Sequence, residues 1–175
     1  EKSIATLEEN PQDFPFAIFR TIVDNKAVFT HSTPLGKSKK LVVEEYDLNE
    51  DNDIADIIRQ TLATRKPAVY NDLVKKVGEL PQGAWEVSPD KLIVLPITGP
   101  GKETYGVLSI GLNPYRLLDG KYLDFFSLLT DQITTSFGDV HVLEEERKRA
   151  EALAEIDRAK TIFFSNISHE FRTPL

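Results

Sequence analysis

The residues near the C-terminal end of the sequence combine an imidazole with a carboxylate and a hydroxyl at helical spacing. His169 is followed directly by Glu170, and Thr173 comes four residues after His169. In an α-helix, residues four apart lie on the same side, so His169 and Thr173 share one face. The apolar residues of the stretch cluster roughly 140° to 220° around the helix from His169: Phe164, Ile167, Phe171 and Pro174. The pattern predicts that the apolar face packs on a partner while His169 faces solvent.

This arrangement is typical of phosphoryl transfer to nitrogen. A neutral imidazole offers a nitrogen lone pair at physiological pH, which can attack a phosphoryl group. Glu170 can accept a hydrogen bond from the second ring nitrogen, which fixes the tautomer and stabilises the positive charge that develops. The alternative interpretation is an amphipathic helix with an incidental surface histidine.

The segment 165–175, SNISHEFRTPL, resembles the H-box of two-component sensor histidine kinases, which begins their dimerisation and histidine-phosphotransfer domain. The resemblance implies that His169 is the phospho-acceptor and Glu170 its acid-base partner. It also implies that Thr173 positions the water that removes the phosphoryl group, and that Pro174 kinks the helix after the active histidine.

Composition limits the other functional classes. The 175 residues include 41% hydrophobic and 28% charged residues, as in ordinary globular proteins. A net charge of −7 argues against a nucleic-acid surface. With no cysteine, disulfides, thiolate metal sites and thioether-linked chromophores are excluded. No apolar run is long enough to span a membrane. The absence of methionine indicates a fragment, so a membrane-spanning segment upstream of residue 1 is an open alternative.

Local patterns predict an α/β (α+β) domain with a mostly antiparallel central sheet flanked by helices. The predicted strands cover residues 16–23, 26–32, 41–46, 68–72, 91–98 and 104–112, and the first two form a hairpin about Asp24-Asn25. A helix is expected at 3–9, another from a capping Asp53 to about Lys66, and a long one from Asp119. Residues 74–90 are expected to form a loop in which Trp85 fills the core. The segment Gly36-Lys37-Ser38 lacks the first glycine of a phosphate-binding loop, so no nucleotide site is predicted there.

Residues 1 to about 138 resemble a GAF domain, on stretches such as NPQDFPFAIFRTI, GKETYGVLSIGL and FFSLLTDQITTSF. The resemblance implies dimerisation through the terminal helices and a small-molecule pocket between the sheet and the helix-loop layer, here the 53–90 region. A cysteine-linked bilin and the cysteine chemistry of the GAF-type methionine sulfoxide reductases are impossible in this chain. A GAF domain without ligand, acting as a dimerising spacer, is an open alternative.

The long helix is expected to run through Gly138 to the histidine motif, because no proline occurs between Pro114 and Pro174. Its N-terminal stripe, including Tyr122, Phe126 and Ile133, should pack on the sheet. Further on, a heptad pattern leads to Phe164 and Ile167 but is interrupted by Asp157 and Lys160, while Ile156 and Phe163 lie just beside it. Such an interrupted coiled coil can support two alternative packings.

The sequence therefore predicts three segments: a GAF sensor domain at 1–138, a coiled-coil signalling helix at 139–160, and the start of a histidine-phosphotransfer domain at 161–175. We expect a protein-histidine kinase as the parent, with ATP and Mg²⁺ bound in a catalytic domain that is absent here, so that the fragment alone is inactive. Expected partners are a second copy through the long helix, a response-regulator receiver domain and a small molecule in the GAF pocket. No metal site is expected in this segment, and its location is predicted to be cytoplasmic. The alternative is a non-catalytic GAF module that binds a ligand, dimerises and regulates another output.

Overall fold

The computed structural model of the protein describes residues 7–35, 41, 43–78, 80–99 and 103–171, without the side chains of residues 140, 141, 170 and 171. Six strands form one sheet: β1 (Ala17–Val23), β2 (Lys26–Ser32), β3 (Glu45–Asp47), β4 (Ala68–Tyr70), β5 (Leu92–Thr98) and β6 (Thr104–Gly111). The helices are α1 (Asp53–Thr64), α2 (Leu73–Val77) and α3 (Gly120–Phe171). The strand order is β3-β2-β1-β6-β5-β4, and every described pairing is antiparallel. The predicted fold class is confirmed.

The first hairpin forms as predicted because its turn residues tolerate the left-handed backbone region. Asp24 and Asn25 have φ angles of 48° and 60°, and Val23 pairs with Lys26 across the turn. Two consecutive left-handed residues are characteristic of a type I′ turn, whose twist matches that of the flanking strands. The turn thus sets the register of β1 and β2.

The helix α1 begins one residue earlier than the sequence indicated. Asn52, not Asp53, is the N-cap: its side-chain oxygen accepts hydrogen bonds from the backbone N–H groups of Ile54 at 2.9 Å and Ala55 at 3.2 Å. The predicted cap at Asp53 is therefore wrong, because Asp53 already has helical geometry and uses its carboxylate elsewhere. The helix ends at Thr64, and Arg65, the C-cap residue, adopts a left-handed conformation with φ 54°.

Three predicted boundaries differ from the structure. The strand expected at 41–46 is reduced to β3, which starts at Glu45; the carbonyl of Leu41 instead accepts a hydrogen bond from the Arg20 side chain at 2.8 Å. The strand β4 ends at Tyr70, since Asp72 has a left-handed φ of 58°. The prediction of a loop over the whole of 74–90 is wrong at its start, where α2 (Leu73–Val77) forms; the first N–H groups of α2 bond to Asp90 at the far end of the segment. The predicted helix at 3–9 lies mostly outside the described residues, as does the segment 36–40.

The central strands are covered on both faces, as their apolar sequences indicated. One face carries the main core cluster, in which side chains of β1, β5 and β6 are buried together with Ile57 and Ile58 of α1. On the other face of the sheet, alternate residues of β5 and β6 are buried as well, and so are Tyr122 and Phe126 of α3. Trp85 belongs to neither layer. It is only half-buried, donates to the carbonyl of Gln12 at 2.9 Å and makes an edge contact with Tyr115, so the prediction that it fills the core is wrong.

The chain divides into two compact units, Glu1–Ser136 and Phe137–Leu175. The helix α3 is capped by Asp119, whose carboxylate accepts from the N–H of Tyr122 at 2.9 Å, and it continues through Gly138 to Phe171 as predicted. In the second unit, Arg147 pairs with Glu151 at 3.5 Å and Lys148 with Glu145 at 3.8 Å. No helix in the described part of the chain has both the length and the apolar character needed to cross a membrane.

Candidate functional site

A cleft of about 600 Å³ opens in the first unit where the start of α1 meets β3, β4 and α2. Five of its lining residues are apolar or aromatic: Val43, Tyr46, Ile54, Tyr70 and Val77. The others are polar or charged: Asp51, Asn52, Asp53 and Lys76. The wall thus combines apolar and aromatic side chains with nearly as many polar or charged ones, and the volume is in the range of small-molecule sites.

The cleft overlaps the 53–90 region in which the sequence placed a pocket, but part of its wall was not anticipated. Val43 and Tyr46 come from β3 and the residues before it, and Asp51 and Asn52 from the turn that leads into α1. These residues reach the cleft because β3 pairs with β2 at the edge of the sheet. A local pattern does not reveal such a pairing.

Asp53, Tyr70 and Lys76 form a compact charged cluster in the cleft. The Lys76 Nζ atom lies 2.9 Å from Asp53 Oδ2 and 4.8 Å from the centre of the Tyr70 ring. Hydrogen bonding to Lys76 lowers the pKa of the Asp53 carboxyl, and the same contact raises the pKa of Lys76. Burial raises the pKa of Tyr70; its hydroxyl is close to both charges, but no described group completes a well-formed hydrogen bond to it.

Arg20 is a buried cation at the inner side of the same region. It is 2% exposed, its Nη2 donates to the carbonyl of Leu41 at 2.8 Å, and its guanidinium lies 5.0 Å from the centre of the Tyr46 ring. Its Nε has no hydrogen-bond partner within the described part of the chain. Burial lowers the pKa of Arg20, which reflects the cost of keeping a charge away from water. The sequence around Arg20 is that of an ordinary strand and does not predict a functional residue there.

The structure describes the predicted catalytic residues only in part. His169 is exposed on α3, as the helical pattern predicted. The backbone of Glu170 is helical, but its side chain lies outside the described residues. Thr173 and Pro174 also lie outside them, so the predicted arrangement of His169, Glu170 and Thr173 stays a prediction.

Two other features limit the chemistry that the described residues can support. A groove of about 470 Å³ in the first unit is lined by Pro67, Pro96 and hydroxyl side chains of α3, with Arg65 and Asp131 at its edges. The hydroxyl of Thr130 donates to the carbonyl of Phe126 within α3, so this hydroxyl is already engaged in a hydrogen bond inside the helix. Among the described residues, no group of three or more histidine, aspartate or glutamate side chains is placed to hold a metal ion.

Comparison with solved structures identifies the fold of the first unit. The GAF domain of a two-component sensor histidine kinase from Bacillus halodurans superposes with a TM-score of 0.56 at 16% identity, over 81% of this chain and 95% of that one. Part of a methyl-accepting chemotaxis protein, its residues 122 to 287, superposes equally well, with a TM-score of 0.56 at 15% identity over 81% and 87% of the two chains. A GAF domain/HD domain protein from Geobacter sulfurreducens gives a TM-score of 0.56 at 10% identity over 77% and 87%.

The sequence matches no protein-family model and no curated protein. At identities this low, the structural similarity establishes the fold and not the activity. The six-stranded antiparallel sheet, the helices on its faces and the long exit helix are those of a GAF-like domain, and this is the fold of the chain.

Proposed function

We propose that this chain is the sensory and dimerising region of a two-component sensor histidine kinase, with His169 as its phospho-acceptor. The observation that carries the proposal is the exposed position of His169 on α3, within the sequence SNISHEFRTPL. An exposed imidazole on a helix is accessible to an ATP-bound kinase domain and to a receiver domain in turn. The fold also favours a signalling role, because a sensor-kinase GAF domain and a chemotaxis protein are among the similar structures.

The proposed reaction is a direct displacement at phosphorus. A ring nitrogen of His169 attacks the γ-phosphorus of ATP, the bond from that phosphorus to the β–γ bridging oxygen breaks, and ADP leaves. Glu170 accepts the proton of the other ring nitrogen, or shares it in a hydrogen bond that stabilises the imidazolium. In the separate hydrolytic reaction, a water positioned by Thr173 attacks the phosphorus, and the phosphoryl group leaves as inorganic phosphate. ATP and Mg²⁺ belong to a catalytic domain of the parent protein.

The three segments have separate roles in this proposal. Residues 1–138 sense a small molecule, 139–160 transmit the state of the sensor, and 161–175 begin the phosphotransfer domain. The continuity of α3 from Gly120 to Phe171 supports transmission along one helix. Binding of a ligand would favour one of two packings of that helix in a homodimer, and the packing would decide whether His169 meets the kinase domain or a response regulator.

The test is a labelling experiment on a protein extended through the proposed ATP-binding domain. After incubation with γ-labelled ATP and Mg²⁺, we expect a label that is labile in acid and stable in alkali, as for phosphohistidine. His169→Gln should abolish it, while His31→Gln, at a histidine on β2, should leave it unchanged. Absence of label from a folded, ATP-binding protein would contradict the proposal and favour a non-catalytic GAF module that binds a ligand and dimerises.

A further inference from the structure

Arg20 carries a buried charge that the described fold does not neutralise. The residue is 2% exposed, and no acidic side chain of the described residues forms an ion pair with it. Its side chain donates one hydrogen bond to the Leu41 carbonyl and lies against the face of the Tyr46 ring. Buried charges are normally paired, because an unpaired one forfeits its hydration without a compensating partner.

Arg20 lies on the same face of the sheet as the cleft. In β1, side chains alternate between the faces of the sheet, so Arg20 shares a face with Ile18, which belongs to the core cluster on the α1 side. The cleft lies on that side, and Tyr46, the ring that covers the guanidinium, is one of its lining residues. Arg20 is not itself a lining residue. Its guanidinium, whose Nε has no hydrogen-bond partner among the described residues, lies 5.0 Å from the centre of the Tyr46 ring that lines the cleft.

The other charges of the cleft do not compensate Arg20. Asp53 is already paired with Lys76 at 2.9 Å. Asp51 is exposed at the rim. The rest of the lining consists of Asn52 and of apolar or aromatic side chains, and behind one of these, Tyr46, lies a positive charge with which no acidic side chain of the described residues pairs.

We propose that the cleft binds a small organic carboxylate whose charged group pairs with Arg20 beside Tyr46, and whose apolar body packs against Ile54 and Val77. The planar guanidinium fork matches a carboxylate, which can accept two parallel hydrogen bonds. A phosphate dianion fits less well, because Asp51 at the rim repels a double negative charge more strongly. The inference rests on the proposed sensory role of the first unit and gives the chemical class of its ligand.

The probes are three carboxylates of increasing length, benzoate, phenylacetate and 3-phenylpropionate, each compared with its neutral amide. Binding to the folded state raises the midpoint of thermal unfolding in proportion to the logarithm of the free ligand concentration over Kd. For the 175-residue chain, we expect at least one carboxylate to raise the midpoint more than its amide does. If no carboxylate exceeds its amide, the proposal is wrong.

The substitution Arg20→Met tests whether Arg20 binds the carboxylate or only stabilises the fold. A buried ion without a partner can be replaced by an apolar side chain of similar length without loss of stability. We therefore expect the midpoint of the free variant to equal or exceed that of the wild type, while Kd for the best carboxylate rises at least about tenfold. A folded variant that retains the carboxylate preference would overturn the proposal. The control Lys26→Met makes the same charge change at an exposed cation on β2 and should retain binding.

Val43 offers a second test that leaves the core intact, because its side chain is 38% exposed and lines the cleft. Val43→Asp places a negative charge in the cleft and should raise the Kd of the carboxylate at least about tenfold, whereas Val43→Asn should not. Equal effects of the two substitutions would contradict the proposal, whatever the behaviour of Arg20→Met. His169→Gln should leave carboxylate binding unchanged, so failure of the phosphorylation test and failure of this one are distinguishable.

Discussion

The Nζ atom of Lys76 lies 2.9 Å from the Oδ2 atom of Asp53, and this ion pair joins α2 to the first turn of α1 across the cleft. Both side chains are partly exposed, at 43% for Lys76 and 59% for Asp53, so water and salt screen the attraction. The pair is therefore a weak contact between two cleft walls, and its strength depends on the ionisation of Asp53.

The first prediction concerns the titration of Asp53. Lys76 lowers the pKa of this carboxyl below its ordinary value of 3.8. Because the folded state has the lower pKa, the stabilisation is fully present above the ordinary value and is lost as the pH falls through the folded pKa. We expect Lys76→Met to raise the pKa of Asp53 toward the ordinary value, measured by following the side-chain carboxyl carbon of Asp53 by NMR.

Lys75→Met is the matched control, because Lys75 pairs with Asp72 at 2.9 Å and not with Asp53. The pKa of Asp53 in Lys75→Met should equal that in the wild type. An unchanged midpoint in Lys76→Met would show that the ion pair does not form in solution.

The second prediction uses two glycines in opposite environments. A Cβ atom added at Gly106 in the central strand β6 would lie 2.2 Å from the backbone oxygen of Arg20 on β1. The two strands would have to separate, so Gly106→Ala should lower the free energy of unfolding by at least about 2 kcal/mol. A Cβ atom added at Gly120, the first residue of α3, would have no atom within 4 Å. Gly120→Ala should therefore raise the free energy of unfolding by up to about 1 kcal/mol.

Urea unfolding measures both changes, through shifts of the midpoint at a constant slope. Equal stability of Gly106→Ala and the wild type would contradict the close approach of β1 and β6.

The third prediction concerns the start of α1. Asn52 accepts two backbone hydrogen bonds there, so Asn52→Ala should lower the free energy of unfolding by about 1 kcal/mol. Asn52→Asp keeps a side-chain acceptor next to the helix N-terminus and should be nearly neutral. The two variants can be compared by the same urea titrations, and equal losses would mean that the cap does not contribute.

Much of the fold was predictable because its signals are local. The Asp24-Asn25 turn, the apolar strands β5 and β6 and the stripe of α3 are each encoded within a few consecutive residues. The antiparallel sheet and the long helix follow from these elements and the short connections between them.

The parts that were missed depend on contacts between residues far apart in the chain. Arg20 has the sequence context of an ordinary strand residue, and only pairing of the sheet and the fold of the segment after β2 bring it to the Leu41 carbonyl and to Tyr46. Trp85 was expected in the core from its size, but its indole N–H finds its partner at Gln12, 73 residues earlier. The five-residue helix α2 depends on Asp90 for its first hydrogen bonds.

The fourth prediction concerns the second unit. Four large apolar side chains that lie within about 100° of one another around α3 are between 55% and 66% exposed in the single chain: Leu153, Ile156, Phe163 and Phe164. Apolar residues repeated at helical spacing are stabilised when a second helix covers them. We therefore expect the protein to form dimers, and we expect Ile156→Glu to shift them to monomers by placing a charge in the interface.

Sedimentation equilibrium measures this shift, and Ala154→Glu provides a control with the same change of charge. Ala154 lies about 160° around the helix from Ile156, so its substitution should leave the dimer intact. A monomeric wild type, or equal dissociation in the two variants, would contradict an interface on this face. If only Ile156→Glu dissociates, the interface lies on the face that carries Phe164 and Ile167, roughly opposite His169, which would leave the imidazole accessible in the dimer.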